Sequence, residues 1–168
     1  MTEDGTISAW AGGNAATLKV DNSTIPTAAN GAVYKGATIG EFQGKRYLYV
    51  TNFRAGRVEV YDADFNEVTL SDGDHDRDDR AEEQFDDDQI PRDFAPFNVQ
   101  NIGGTLIVTY AKQDQQKHDD VGADGLGFVD IFSPSGKLLA RLEHGHGSTP
   151  LGAPFGLLAT LESSATGS

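Results

Sequence analysis

His118, Asp119 and Asp120 stand side by side, with Asp114 and Asp124 close by in the chain. A histidine beside carboxylates can ligate a divalent metal or pass a proton as an acid–base pair. Adjacent residues seldom converge on one ion without help from another loop. The competing reading is a long turn braced by carboxylates that accept from backbone N–H groups. Arg54 and Arg57, with Lys112 and Lys117, form a basic set. They suit an anion or, against an acidic background, salt-bridge partners on the surface.

A further constellation is Asp72-Gly73-Asp74-His75-Asp76-Arg77-Asp78. Carboxylates at alternate positions can wrap Ca²⁺, which takes about 6–8 oxygens. Asp72, Asp74, Asp76 and Asp78, with Glu83 further on, have the spacing of a calcium-binding loop. Arg77 departs from it, because the sharp turn there wants glycine. No amphipathic helix flanks the segment on its strand side. The competing reading is a solvated acidic insert over Ser71–Asp93.

These residues need elements to hold them. Gly5-Thr6-Ile7-Ser8-Ala9-Trp10, Gly56-Arg57-Val58-Glu59-Val60-Tyr61 and Gly127-Phe128-Val129-Asp130-Ile131-Phe132 repeat one strand pattern. Repetition at intervals of about 50–70 residues points to a repeat array such as a β-propeller. Tyr34-Lys35-Gly36-Ala37, Pro96-Phe97-Asn98-Val99 and Pro154-Phe155-Gly156-Leu157 align as the entry to each innermost strand. At Gly36, Asn98 and Gly156 the residue type tolerates positive φ or close backbone approach. Tyr47–Asn52 matches Leu106–Tyr110, each after a glycine turn.

The fold class expected is therefore all-β: a partial propeller, with about two full four-stranded antiparallel blades and parts of two more. One domain covers residues 1–161. Its blade parts are 5–20, 34–70, 94–142 and 154–160, with the acidic insert at 71–93, and 162–168 is a frayed tail. Glu67–Leu70 and Lys137–Leu142 are the expected outermost strands. Trp10, Tyr61 and Phe132 should occupy one slot in successive sheets, and Trp10, Phe53, Phe97, Phe128 and Phe155 should fill cores. Fewer than three blades cannot close a ring of about 4–8. The chain is expected to be a fragment, or to complete a ring by self-association.

The sequence has 168 residues, a net charge of −13 and no cysteine. Lack of cysteine excludes disulfides, thiolate metal sites and a cysteine nucleophile. The charge repels nucleic acid and anionic lipid and attracts cations or basic partners. No stretch approaches the roughly 18–20 apolar residues that a membrane span needs. The acidic start, Met1-Thr2-Glu3-Asp4-Gly5, does not read as a signal peptide. There is no Gly-x-Ser-x-Gly elbow, P-loop or dinucleotide fingerprint.

Leu48-Tyr49-Val50-Thr51-Asn52-Phe53, Ala55-Gly56 and Val58-Glu59-Val60-Tyr61-Asp62 resemble an uncharacterised family of bacterial β-propeller proteins in the style of YVTN and NHL repeats. The similarity continues through Phe94–Gly104, Val108–Asp114, Lys117–Val121 and Gly127–Asp130. The resemblance implies longer, exported proteins, some with a PEP-CTERM type sorting tail, and no established catalytic role.

Alternating strand direction places the loops at 52–56 and 111–126 and the connection at 71–93 on one rim. Asn52, Arg54, His118, Asp119 and Asp120 then form a ligand-binding rim, with Ca²⁺ as the one cofactor suggested. The function expected is a non-catalytic binding or scaffold module. The alternative is a metal-dependent, lactonase-like hydrolase or lyase, with His118 and its aspartates beside Asn98 or Asn52 at a central axis.

Overall fold

The computed structural model describes residues 1–72, 84–122 and 126–143. Nine strands follow in order: β1 (Thr6–Ala9), β2 (Thr17–Asp21), β3 (Tyr34–Phe42), β4 (Lys45–Asn52), β5 (Arg57–Tyr61), β6 (Phe94–Ile102), β7 (Thr105–Lys112), β8 (Gly127–Phe132) and β9 (Leu138–Glu143). They form three antiparallel sheets of two, three and four strands, β1-β2, β3-β4-β5 and β6-β7-β8-β9. There is no helix and no closed sheet among the described residues.

The tight hairpins follow from the turn residues. Gln43 and Gly44 join β3 to β4, both at positive φ, and Gly103 and Gly104 do the same between β6 and β7. Two positive-φ residues make the turn whose twist matches that of the strands it joins.

The second and third sheets share one register. Leu48 faces Tyr61, Val50 faces Glu59 and Asn52 faces Arg57. At the matching places Leu106 faces Phe132, Val108 faces Asp130 and Tyr110 faces Phe128. Both innermost ladders carry an irregularity just after their start, between Tyr34 and Ala37 and between Pro96 and Asn98. Alternation then assigns the faces. Val50 and Tyr61 pack with Ile7, Ala32 and Tyr34 against the first sheet. Tyr49, Val58 and Val60 pack with Leu106, Val108, Tyr110 and Phe132 of the third. The second sheet is thus buried on both faces.

Gly36 is required by a close approach, not by an unusual φ. A Cβ there would lie 2.4 Å from Asn98 Oδ1 and 2.6 Å from Asn98 Cα. The contact is locked by Thr51, whose hydroxyl bonds the Gly36 N–H at 2.7 Å and the Phe97 carbonyl at 3.0 Å.

Two expectations are corrected. Glu67–Leu70 is not a strand: it makes one bridge, Tyr61 to Glu67, and a Val68 N–H bond to Val60. Leu70 turns into the core, where it is 6% exposed, and this draws the chain off the ladder. The second sheet therefore has three strands, not the four expected. Trp10 does not share the slot of Tyr61 and Phe132; it lies past the end of β1, 67% exposed, its indole N–H on the Gly13 carbonyl. Residues 154–160 and 162–168, including Phe155, lie outside the described residues.

Candidate functional site

Glu59 sits mid-strand in β5, 2% exposed, a carboxyl group on the face that packs against the first sheet. Such burial is tolerated only with compensating donors. Asn52 Nδ2 donates to its Oε1 at 2.7 Å and Arg57 Nη2 at 2.9 Å. The hydroxyls of Tyr34 and Tyr61 donate to Oε2 at 2.9 and 2.7 Å, and the Asn22 amide donates to Tyr34 in turn. Burial pushes the Tyr34 hydroxyl up to about 12 and raises Tyr61 further. This network is complete and ties β3, β4 and β5 to the chain after β2.

The matching carboxylate of β8 is held differently. Asp130 is 1% exposed and its Oδ2 has no donor. Asp87, 5% exposed, comes in from the end of the acidic segment, and its charge acts on Asp130. Arg141, the cross-strand partner of Asp130, grips Asp87 with Nε at 2.5 Å and Nη2 at 2.6 Å. Burial first, and then the Asp87 charge, push the Asp130 carboxyl up to about 7. Burial opposes the charge on Asp87, but the Arg141 guanidinium and the Gln89 N–H outweigh it and hold that carboxyl below its ordinary range.

The segment carrying Asp87 walls a polar cleft of about 520 Å³ between the second and third sheets, lined among others by Asp86, Asp88, Arg92, Phe94, Tyr110 and Lys117. Tyr110 donates to the Phe85 carbonyl at 3.1 Å, and the Phe85 N–H bonds the Gly136 carbonyl.

The sequence-assigned rim residues are distributed as follows. The loop after β4 and the loop after β7 do come together: Gln113 Nε2 donates to the Phe53 carbonyl, and a shared pocket is lined by Arg54, Ala55, Gln115 and Gln116. Asn52 is not presented on it. It is 4% exposed, its amide spent on Glu59 and its carbonyl on the Ala55 N–H. Arg54 Nη1 bonds the Gly31 carbonyl, and its Nε is buried without a partner.

His118 Nδ1 contacts Asp119 Oδ1 at 3.1 Å, and the His118 and Asp119 side chains lie with Glu3 in a group close enough to hold an ion. Asp120 is half-buried and bridges Gln113. The cation already there is Lys35, missed in the sequence: its Nζ is 2.6 Å from Glu3 and 3.5 Å from Asp119, its side chain 6% exposed over the Phe53 and Phe97 rings. The His118 hydrogen bond, then Lys35, hold Asp119 below the ordinary carboxylate range. Among the calcium candidates Asp72 accepts from Ser135 Oγ at 3.2 Å. Asp74, Asp76, Asp78 and Glu83 lie outside the described residues, as does Asp124.

The chain is similar to three uncharacterised proteins of Acanthamoeba polyphaga mimivirus. One is 31% identical over 160 residues, covering 94% of this chain and 27% of that protein. A second is 29% identical over 98 residues, 56% of this chain and 22% of the relative. The third is 28% identical over 114 residues, 66% and 26% respectively. The chain thus spans about a quarter of the length of the curated relatives it matches. No family model and no solved structure matches. The relatives are viral, which corrects the expected bacterial YVTN- and NHL-like family. Much of what suggested it, such as Leu48–Phe53, Val58–Asp62 and Gly127–Asp130, is the alternation that any half-buried strand shows. The expectation of export rested on that resemblance alone.

Proposed function

We propose that the chain is a non-catalytic binding module, part of a propeller-type array of stacked sheets, and that it takes a basic group of a partner protein in the cleft beside Asp86 and Asp88. The observation that carries this reading is the cleft. It opens where two sheets and three connections meet, and its volume of about 520 Å³ is that of a ligand site. Asp87 is engaged by Arg141, whereas Asp86 and Asp88 are exposed. Phe94 and Tyr110 add aromatic surface on which an ammonium or guanidinium group can rest. Arg92 and Lys117 keep the lining from being uniformly acidic, so a discrete group is selected over a diffuse basic tract. The net charge of −13 steers basic partners from a distance. The shared register of the second and third sheets, and the β3–β6 approach, support the propeller-type stacking.

The test is amide shift mapping with a short lysine- and arginine-containing peptide at low salt. Shifts are expected to concentrate on Gln84–Arg92, Gln113 and Lys117. The Asp86→Asn, Asp88→Asn double variant should weaken binding about tenfold, as loss of two unscreened charges does. Shifts spread evenly over the acidic surface, or unchanged affinity in the double variant, would remove the reading.

A further inference from the structure

We infer that Asp87 and Asp130 share one proton, and that this proton latches the segment Gln84–Arg92 onto the third sheet. The latch is independent of whether the cleft is occupied. Two buried carboxyls flank Arg141 here: Asp87 of the incoming segment, bonded to its guanidinium, and Asp130 of β8, its cross-strand partner. With both ionised, Asp130 Oδ2 lacks any donor, in a place where water does not reach it. A buried acceptor without a donor is strongly disfavoured, and so are two adjacent anions. One proton removes both problems: Asp130 becomes the donor and Asp87 the acceptor.

Among the described residues, the titratable groups around Asp130 come from the segment, from β7 and from β9. From the segment comes Asp87, with Asp86 close enough to act on Tyr110. From β7 comes Tyr110, whose hydroxyl is pushed above its ordinary range, first by burial and then by Asp130, Asp86 and Asp87. From β9 comes Arg141, which also reaches Asp88 at 3.6 Å. Arg141 neutralises one of the two carboxylates, leaving one negative charge in excess. A divalent cation would have to displace that guanidinium, whereas a proton does not.

The sheet-two counterpart shows what the alternative looks like. Glu59, at the same register position, meets hydrogen-bond donors instead of a second carboxyl.

The sign follows from linkage. A carboxyl whose folded value is raised above the ordinary one binds its proton more tightly when the latch is closed. The latch, with Asp130 raised and Asp87 lowered, is strongest within the ordinary carboxyl range, at about pH 4, and is lost again at more acid pH as Asp87 protonates and releases Arg141. It weakens as pH rises from about 4 towards about 7, by up to tenfold per pH unit, and is level above that.

The experiment is amide exchange of the full chain from about pH 4.5 to about pH 8, corrected for intrinsic exchange chemistry. Protection of the Phe85 amide should fall across that range while protection in β3 and β4 changes little. In Asp130→Asn the side-chain amide donates to Asp87 at every pH, so the profile should be flat. A flat wild-type profile, or an unchanged slope in the variant, would overturn the inference. The Asp130 carboxyl ¹³C shift of the unmodified protein gives a reading that does not need the variant to fold. A midpoint near neutrality supports the shared proton; an ordinary acidic midpoint refutes it.

Discussion

At Glu59 four side chains from three strands, β3, β4 and β5, converge on one carboxylate. Deleting that carboxylate takes from the Asn52 amide and the Tyr34 and Tyr61 hydroxyls the buried acceptor they share. Glu59→Ala should cost about 3–5 kcal/mol, because a buried paired charge leaves its partners unsatisfied. Tyr61→Phe removes one donor and keeps the ring, and should cost about 1 kcal/mol. Urea unfolding measures both; near-equal losses would mean the network is not centred on Glu59. The partnering of Lys35 belongs to the same scale. A lysine within a strand reads as exposed, and only the Phe53 and Phe97 rings and the carboxylates of Glu3 and Asp119 make its burial tolerable. The signal for Glu59 and Asp130 was present in the repeat: both occupy the same slot between apolar neighbours. What each meets there depends on segments distant in sequence.

Among the elements, the contact of β3 with β6 decides how the sheets stack. Gly36→Ala drives a Cβ into the backbone at Asn98 and should cost about 1–3 kcal/mol, as overpacking does. Gly104→Ala meets no atom within 4 Å, but its φ of +89° strains any L side chain, at about 1 kcal/mol. Thermal unfolding of the two variants separates a packing defect between sheets from a local turn defect. The larger loss is expected at Gly36, and the reverse order would sink that account of the interface. The hairpins and their registers were legible, since turn glycines and two-residue alternation are local. The missing outer strand after β5 was not, because Leu70 leaves the ladder for a core assembled by the third sheet. The irregularities at Gly36 and Asn98 were visible as a repeated small or polar position, but their cause is the neighbouring sheet.

For the molecule as a whole, a charge of −13 on 168 residues opposes compaction. Raising ionic strength from about 0.01 M to about 0.15 M shortens the screening length from about 30 Å to about 8 Å. The unfolding temperature should rise by a few degrees over that range. A fall would mean that specific pairs such as Lys35–Glu3 and Arg141–Asp87 outweigh the general repulsion. No helix among the described residues is long and apolar enough to cross a membrane. The relatives carry about three-quarters of their length outside the region of similarity, so the module works in a larger polypeptide in those proteins.

The sequence by itself determined most of the strands, their hairpins and the alternation of faces within them, because these depend on turn chemistry and on the period of two. It also brought the loops after β4 and β7 to one side, since strands that alternate in direction leave no other choice. Only the tertiary structure decided which carboxylates are satisfied, which lysine is buried and where the cleft lies. Those outcomes depend on donors and walls supplied by other sheets and by the acidic segment, and no local pattern encodes a partner many residues away.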